Sequence, residues 1–313
     1  MRKATWKTMY SKSAFPPLPR EFSGRWNHKR YSVIRPLGQG ANGAVYLATQ
    51  AGRKLAVKIG TDPLDLLMEV NMLKSVQQVR DVKIGPLLCD VDDLLIDGKP
   101  CTFYSMEYLE GERLDRYAGR VGREWVPVLA VQLLTRLEIL HAQGWVFGDL
   151  KPENVIVTHG DKQVRLVDFG GVTKKGNAVR QFTEEYDRGG WQAGDRRAEA
   201  SYDLFSLAVI TIRLMTPDEQ WKKFTREGRT VARLCDIIRE NDGLYPYRMP
   251  LLKALQGIYK DAAAMKRDMV TAIRLRSSSG RKKERGSAAG MVLGGLFVAS
   301  LLTLAGTLYC FWF

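Results

Sequence analysis

Hydrophobic and polar positions divide the chain into elements before any motif is considered. Over residues 31–59 short apolar runs alternate with polar positions and break at glycines, a pattern that predicts three strands. Helical spacing of apolar residues follows over 64–76. Asp62 is placed to cap that helix and Pro63 to open its first turn. A strongly apolar helix is predicted over 125–141, short strands over 155–157 and 164–167, and a further apolar helix over 204–215. The final stretch, 291–313, is uncharged and mostly apolar. A hydrocarbon core of ~30 Å takes about 20 helical residues, so this stretch is long enough to span a bilayer. Arg281, Lys282, Lys283 and Arg285 precede it, and Tyr309, Phe311, Trp312 and Phe313 end it in the manner of an interfacial aromatic belt. The positive flank predicts a single pass through the cell membrane, with the preceding domain cytoplasmic and the C-terminus at the outer face. The competing reading is a buried core helix. Gly290 and Gly294 form a GxxxG pair, which leaves a homodimer open.

Charge sharpens this division. The 313 residues carry a net charge of +14. Residues 1–30 hold eight Lys/Arg against one acid, residues 266–285 hold eight against two, and the last 28 residues hold none. The middle of the chain is therefore near neutral. We divide the chain into a basic arm over 1–30, a folded domain over 31–268, a basic Ser/Gly linker over 269–290 and the spanning segment. Hydrophobic content of 45% is enough to fill a core and argues against global disorder. Cys89, Cys101, Cys235 and Cys310 form no CxxC pair, which argues against a zinc site or a disulfide framework. The start of the chain lacks an apolar h-region, so no secretion signal is expected.

The candidate chemistry lies in two stretches. The first is Gly38-Gln39-Gly40-Ala41-Asn42-Gly43-Ala44-Val45. In a dinucleotide-binding unit such glycines open a helix. Here strand pattern continues on both sides, which fits a hairpin lying over nucleotide phosphates, its glycines letting the backbone approach. Lys58 follows Leu55, Ala56 and Val57 in a strand that reads as buried on both faces, so it needs a partner. Glu69, the one glutamate of the next helix, supplies it, and the pair would hold Lys58 against the α- and β-phosphates of ATP.

The second stretch is Asp149-Leu150-Lys151-Pro152-Glu153-Asn154, followed by two strands and Asp168-Phe169-Gly170. Phosphoryl transfer needs charge neutralised on the β- and γ-phosphates and a hydroxyl oriented in line. Asn154 and Asp168 offer hard oxygen ligands for magnesium, with manganese as a substitute. Asp149 can accept the hydroxyl proton, and Lys151 can steady the γ-phosphate. Each residue alone reads as an ordinary loop cap or turn; the ordered set does not.

On these motifs the chain resembles the bacterial Hanks-type (eukaryotic-like) Ser/Thr protein kinases over about 31–268. The resemblance implies an α+β, two-lobed fold: a small β-rich N-lobe with one long helix over about 31–106, and a larger, mainly helical, somewhat trimmed C-lobe over about 110–268. It implies that Gly38, Gly40 and Gly43 form the phosphate loop and that Val45 and Ala56 enclose the adenine. Met106 then stands as the gatekeeper, with the backbone of Glu107 and Leu109 on the adenine edge. Lys58 with Glu69 becomes the activating ion pair, Asp149 the catalytic base, and Asp203 a buried anchor for the catalytic loop. Lys151 favours Ser/Thr over Tyr as acceptor. Thr183-Glu184-Glu185-Tyr186 resembles the T-x-E-Y loop that receives the substrate.

Two departures stand out. Phe147-Gly148-Asp149 replaces H-R-D, removing the arginine that receives an activation-loop phosphate. Arg188-Gly189-Gly190 replaces A-P-E, so the usual Glu–Arg lock is absent or replaced. We expect activity that needs no docked phosphate, and a trimmed large lobe that calls on a partner, a dimer or a ligand for full activity. A pseudokinase is disfavoured because Lys58, Asp149, Asn154 and Asp168 are all present.

The basic flanks suit anionic lipid or nucleic acid. In residues 1–30 Trp6, Tyr10, Phe15, Phe22 and Trp26 are interleaved with the basic positions and read as available for stacking. The layout resembles the sporulation-associated, tail-anchored kinases of spore-forming bacteria, which implies DNA as an activating ligand and DNA-handling proteins as substrates. The alternative function is a catalytically weak, membrane-tethered scaffold or nucleic-acid binder on a kinase fold.

Overall fold

The computed structural model describes residues 18–278, apart from 41–42, 61, 79–81 and 227. Strands β1 (Glu21–Ser23), β2 (Arg30–Gly40), β3 (Gly43–Gln50), β4 (Arg53–Ile59), β5 (Leu88–Ile96) and β6 (Lys99–Glu107) form one antiparallel sheet in the order β1-β2-β3-β4-β6-β5. Period-two alternation splits β4 between two cores. Leu55, Val57 and Ile59 join Leu18, Phe22, Tyr31 and Phe103 on one face. Ala56 faces the other way, toward Leu66, Val70 and Leu73 of helix α1 (Pro63–Gln77). The Asp62 carboxylate caps α1 by accepting from Leu64 N, and Pro63 occupies the first turn.

The second lobe is built around two apolar helices, α3 (Val126–Ala142) and α4 (Ala200–Met215). Strand β7 (Gly111–Arg113) and helix α2 (Leu114–Val121) enter it from the first lobe. Strands β9 (Val155–Thr158) and β10 (Val164–Leu166) pair as a hairpin beside β7, and β8 (Trp145–Val146) pairs with β11 (Thr173–Lys174). Helices α5 (Asp218–Thr225), α6 (Val231–Glu240), α7 (Arg248–Leu255) and α8 (262–278) complete it.

Three expectations about boundaries change. Residues 18–30 are not an arm outside the domain. Phe22 is buried, stacked on Tyr31 at 5.1 Å and edge-on to Phe103 at 5.2 Å, so it is not available for stacking on a ligand. The Asp92 carboxylate accepts from Trp26 N and Asn27 N and clips the following turn to β5. At the other end the fold runs past 268. Helix α8 buries Ala262, Met265, Met269 and Ala272, and Lys266 pairs with Glu138 of α3. Basic composition alone had marked both segments as outside the core, yet their apolar positions pack while their charges face out. The third change is at α4, which begins at Ala200, so Asp203 lies in its first turn instead of opening it.

Among the described residues one stretch, Arg123–Ala142, is long and apolar enough to cross a membrane, and it packs inside the second lobe as a core helix. The segment 291–313, the upstream cluster 281–285 and the start of the arm lie outside the described residues.

Candidate active site

The site forms where the first sheet meets the β9–β10 hairpin. Gly38 and Gly40 sit on β2, Gly43 opens β3, and the register pairs Gly38 with Val45 and Gly40 with Gly43. A Cβ at Gly43 would stand 2.1 Å from the Ile59 carbonyl oxygen, so the protein itself requires glycine there. At Gly38 and Gly40 a Cβ would meet no described atom within 4 Å, so the described residues by themselves do not require glycine there. Below the hairpin, Val45 pairs with Lys58, and Ala56 pairs with Met106 on β6. Glu107 ends β6, and its amide donates to the Leu87 carbonyl. Leu109 lies in the short connection to β7.

Lys58 is buried. Its ammonium donates to Glu69 Oε1 at 2.6 Å and to Asp168 Oδ1 at 2.8 Å. Burial alone would pull the Lys58 pKa down, but the Asp168 and Glu69 carboxylates outweigh it and hold the amine above its ordinary value. Burial raises Glu69 against the pull of Lys58. Desolvation in the cleft works against Asp168, yet Lys58 and then Lys151 hold its carboxyl below the usual range. A second donor fixes Glu69: the buried Tyr104 hydroxyl reaches Oε2 at 2.8 Å. Tyr104 was not singled out from the sequence; it stands directly opposite Lys58 on β6, a register that only the folded sheet sets.

Asp149 and Lys151 meet over one hydroxyl. Lys151 Nζ donates to Asp149 Oδ2 at 2.5 Å and to Thr183 Oγ1 at 3.1 Å, and Thr183 Oγ1 donates to Asp149 Oδ1 at 2.8 Å. The Asn154 amide nitrogen is spent on the Asp149 carbonyl at 2.9 Å, which leaves its oxygen as the atom able to ligate a cation. Asp168 takes φ 62, a left-handed conformation that costs free energy for a non-glycine residue and aims its carboxylate into the cleft beside Lys58. From below, Asp203 receives Phe147 N at 2.8 Å and Gly148 N at 2.9 Å, with His141 on the same carboxylate. The loop that carries Asp149 is thereby tied to the first turn of α4.

The donor set suits a nucleotide carrying a divalent cation. Among the described residues no three His, Cys, Asp or Glu side chains converge as a complete metal cage. An ion held by Asn154 and Asp168 would take its other ligands from phosphate and water, the usual habit of magnesium. A divalent cation bound there would supply charge neutralisation on the phosphates.

Comparison with known proteins agrees with this geometry. A family model described as a protein kinase domain matches residues 31–262. The serine/threonine-protein kinase YabT of Bacillus subtilis is 43% identical over 251 residues, covering 80% of this chain and 73% of that protein. The serine/threonine-protein kinase pkn2 of Myxococcus xanthus is 31% identical over 207 residues, 60% of this chain but 24% of its own length. A solved structure of vaccinia related kinase 3 superposes with a TM-score of 0.59 at 15% identity, covering 84% of this chain and 93% of that one, a likeness of fold alone.

Proposed function

The chain belongs to the protein kinase family as a bacterial Hanks-type serine/threonine kinase, and from that premise we propose a membrane-anchored enzyme that modifies cytoplasmic proteins and itself and is stimulated by DNA. One observation carries the transfer chemistry. A side-chain hydroxyl, that of Thr183, already donates its proton to Asp149 while Lys151 touches both groups. A serine or threonine hydroxyl brought in beside Thr183 meets the Asp149 carboxylate within hydrogen-bond reach and the Lys151 cation next to it. Lys58, held by Glu69, contributes positive charge at the phosphate end of the cleft. The product is a phosphoserine or phosphothreonine.

The membrane part of the proposal is supported by the uncharged run 291–313 and the basic residues preceding it. The DNA part is supported by the two basic flanks. Within the described portion Arg20, Arg25, Arg30, Arg267 and Arg274 are exposed, whereas Lys29 and Lys266 are engaged by Asp90 and Glu138. Contact through several phosphates would make binding fall steeply with salt. A role in DNA maintenance or sporulation follows from the same layout.

Labelled ATP, full-length protein in detergent or vesicles, and duplex DNA at low and high salt form the test. Wild type is expected to label itself and an added acceptor, Asp149→Asn to label neither, and DNA to raise the wild-type rate at low salt only. Label transfer by Asp149→Asn would remove Asp149 as the base. A wild-type rate indifferent to DNA at low salt would remove the DNA part and leave the kinase intact.

A further inference from the structure

A buried carboxylate outside the transfer chemistry lies in the segment that runs from Thr183 to α4. Asp187 is 1% exposed, yet it is fully engaged. Its Oδ1 accepts from the Tyr202 hydroxyl at 2.6 Å and Gly189 N at 3.2 Å. Its Oδ2 accepts from Gly190 N at 2.9 Å and from Arg196 Nε and Nη2 at 2.9 and 2.7 Å. Burial works against this carboxylate, but Arg196, Tyr202 and the two amides more than offset it and hold the pKa below the usual range. The glycines belong to the arrangement. A Cβ at Gly190 would stand 2.5 Å from the Glu184 carbonyl oxygen, and one at Gly189 would stand 3.0 Å from Arg196 Cζ.

The other side of Arg196 meets Phe182. Its guanidinium lies over the ring of Phe182, 4.0 Å from the centroid, a cation–π contact between half-exposed groups. Phe182 immediately precedes Thr183, whose hydroxyl bridges Asp149 and Lys151. A continuous run of contacts therefore leads from Tyr202 on α4 through Asp187, Arg196 and Phe182 to Thr183. The neighbouring residue of α4, Asp203, holds the backbone of Phe147 and Gly148. One helical turn thus anchors the base and the surface that presents the acceptor. The segment is closed further back by Val179 packed with Val146, Ala198 and Tyr202, and by Val179 N donating to the Arg196 carbonyl.

We propose that Asp187, Arg196 and Phe182 form the positioning device for the protein acceptor: a resident carboxylate gathers Arg196, and Arg196 fixes the Phe182–Thr183 surface against which the acceptor docks. This rests on the kinase reading. It makes Arg196 and Phe182 positioning residues for the acceptor, with no part in holding ATP.

The test uses the full chain with myelin basic protein as acceptor, and ATP hydrolysis without acceptor as a second readout. Arg196→Ala and Phe182→Ala should each raise the acceptor KM by about tenfold, with the ATP KM and acceptor-free hydrolysis within about twofold of wild type. The double variant should be no worse than either single one, because both break the same contact. Phe182→Tyr, which keeps a ring under the guanidinium, should restore the acceptor KM. Asp187→Asn reports the same effect if it folds; the half-exposed Phe182 carries the test if it does not. An acceptor KM that stays at the wild-type value in a Phe182→Ala protein of unchanged melting temperature overturns the proposal. So do single effects that multiply, or acceptor and ATP KM values that worsen together. Asp149→Asn in the same assay tests the kinase reading separately, since it removes transfer whatever the acceptor surface does.

Discussion

Gly148 shows how a single residue can be misjudged as a gap. Where an arginine is usual, its backbone takes φ +82, and a Cβ there would stand 2.7 Å from the Gly171 carbonyl oxygen. Restoring the side chain does not create a phosphate receptor; it strains the loop that carries Asp149. We expect Gly148→Arg to lower unfolding stability by about 1–3 kcal/mol, the usual cost of a non-glycine residue in such a conformation, and to lower activity with it. Urea unfolding and label transfer check both. A stable, more active variant would return the position to its ordinary reading. Asp187 adds a pH dependence of definite sign. Its folded carboxyl sits below the ordinary aspartate value of about 3.9, so its contribution is complete above that value and is lost as pH falls through the folded pKa. The stability gap between wild type and Asp187→Asn should therefore be constant near neutrality and close below about pH 4. A gap that widens on acidification would mean that the carboxylate is not the stabilised form.

Among the elements, β1 and α8 redraw the domain. Each looked basic and peripheral, and each carries one apolar stripe that packs. Phe22→Ala removes a ring stacked between Tyr31 and Phe103, and we expect it to cost about 3–5 kcal/mol. Deleting residues 1–30 should lower the melting temperature at least as severely as Phe22→Ala. An unchanged melting temperature would put the boundary back at 31. Met269→Ala in α8 should likewise cost about 2–5 kcal/mol, against nothing measurable for the exposed Arg267→Ala. The described parts of the basic flanks are thus the outer faces of packed elements, and a phosphate contact made by Arg20, Arg25, Arg30, Arg267 or Arg274 is presented from a packed lobe.

For the whole molecule, the arrangement is that of an enzyme held in a working geometry by its own side chains. Lys58 is paired with Glu69, Asp168 points into the cleft, and the Thr183 surface is closed on Asp149. Treatment with a phosphatase before assay should therefore leave the initial rate within about twofold. A large loss of rate would show that added phosphate does what Asp187 is held to do. Much of this was legible in the sequence. Glycines at fixed offsets, a lysine inside an apolar strand and Asp149, Lys151, Asn154 and Asp168 in order and context stand out because phosphate chemistry restricts residue type at close sequence spacing. The strands and helices around them followed from apolar periodicity, which local backbone geometry dictates. Tertiary structure alone decided what depends on distant partners. Tyr104 reaches Glu69 across 35 positions, Phe22 reaches a core made by β2 and β6, and Arg196 turns a carboxylate nine residues away into a support for the acceptor surface. Their side chains carry no local signature, because what each one does is set by the group it meets when the chain closes on itself.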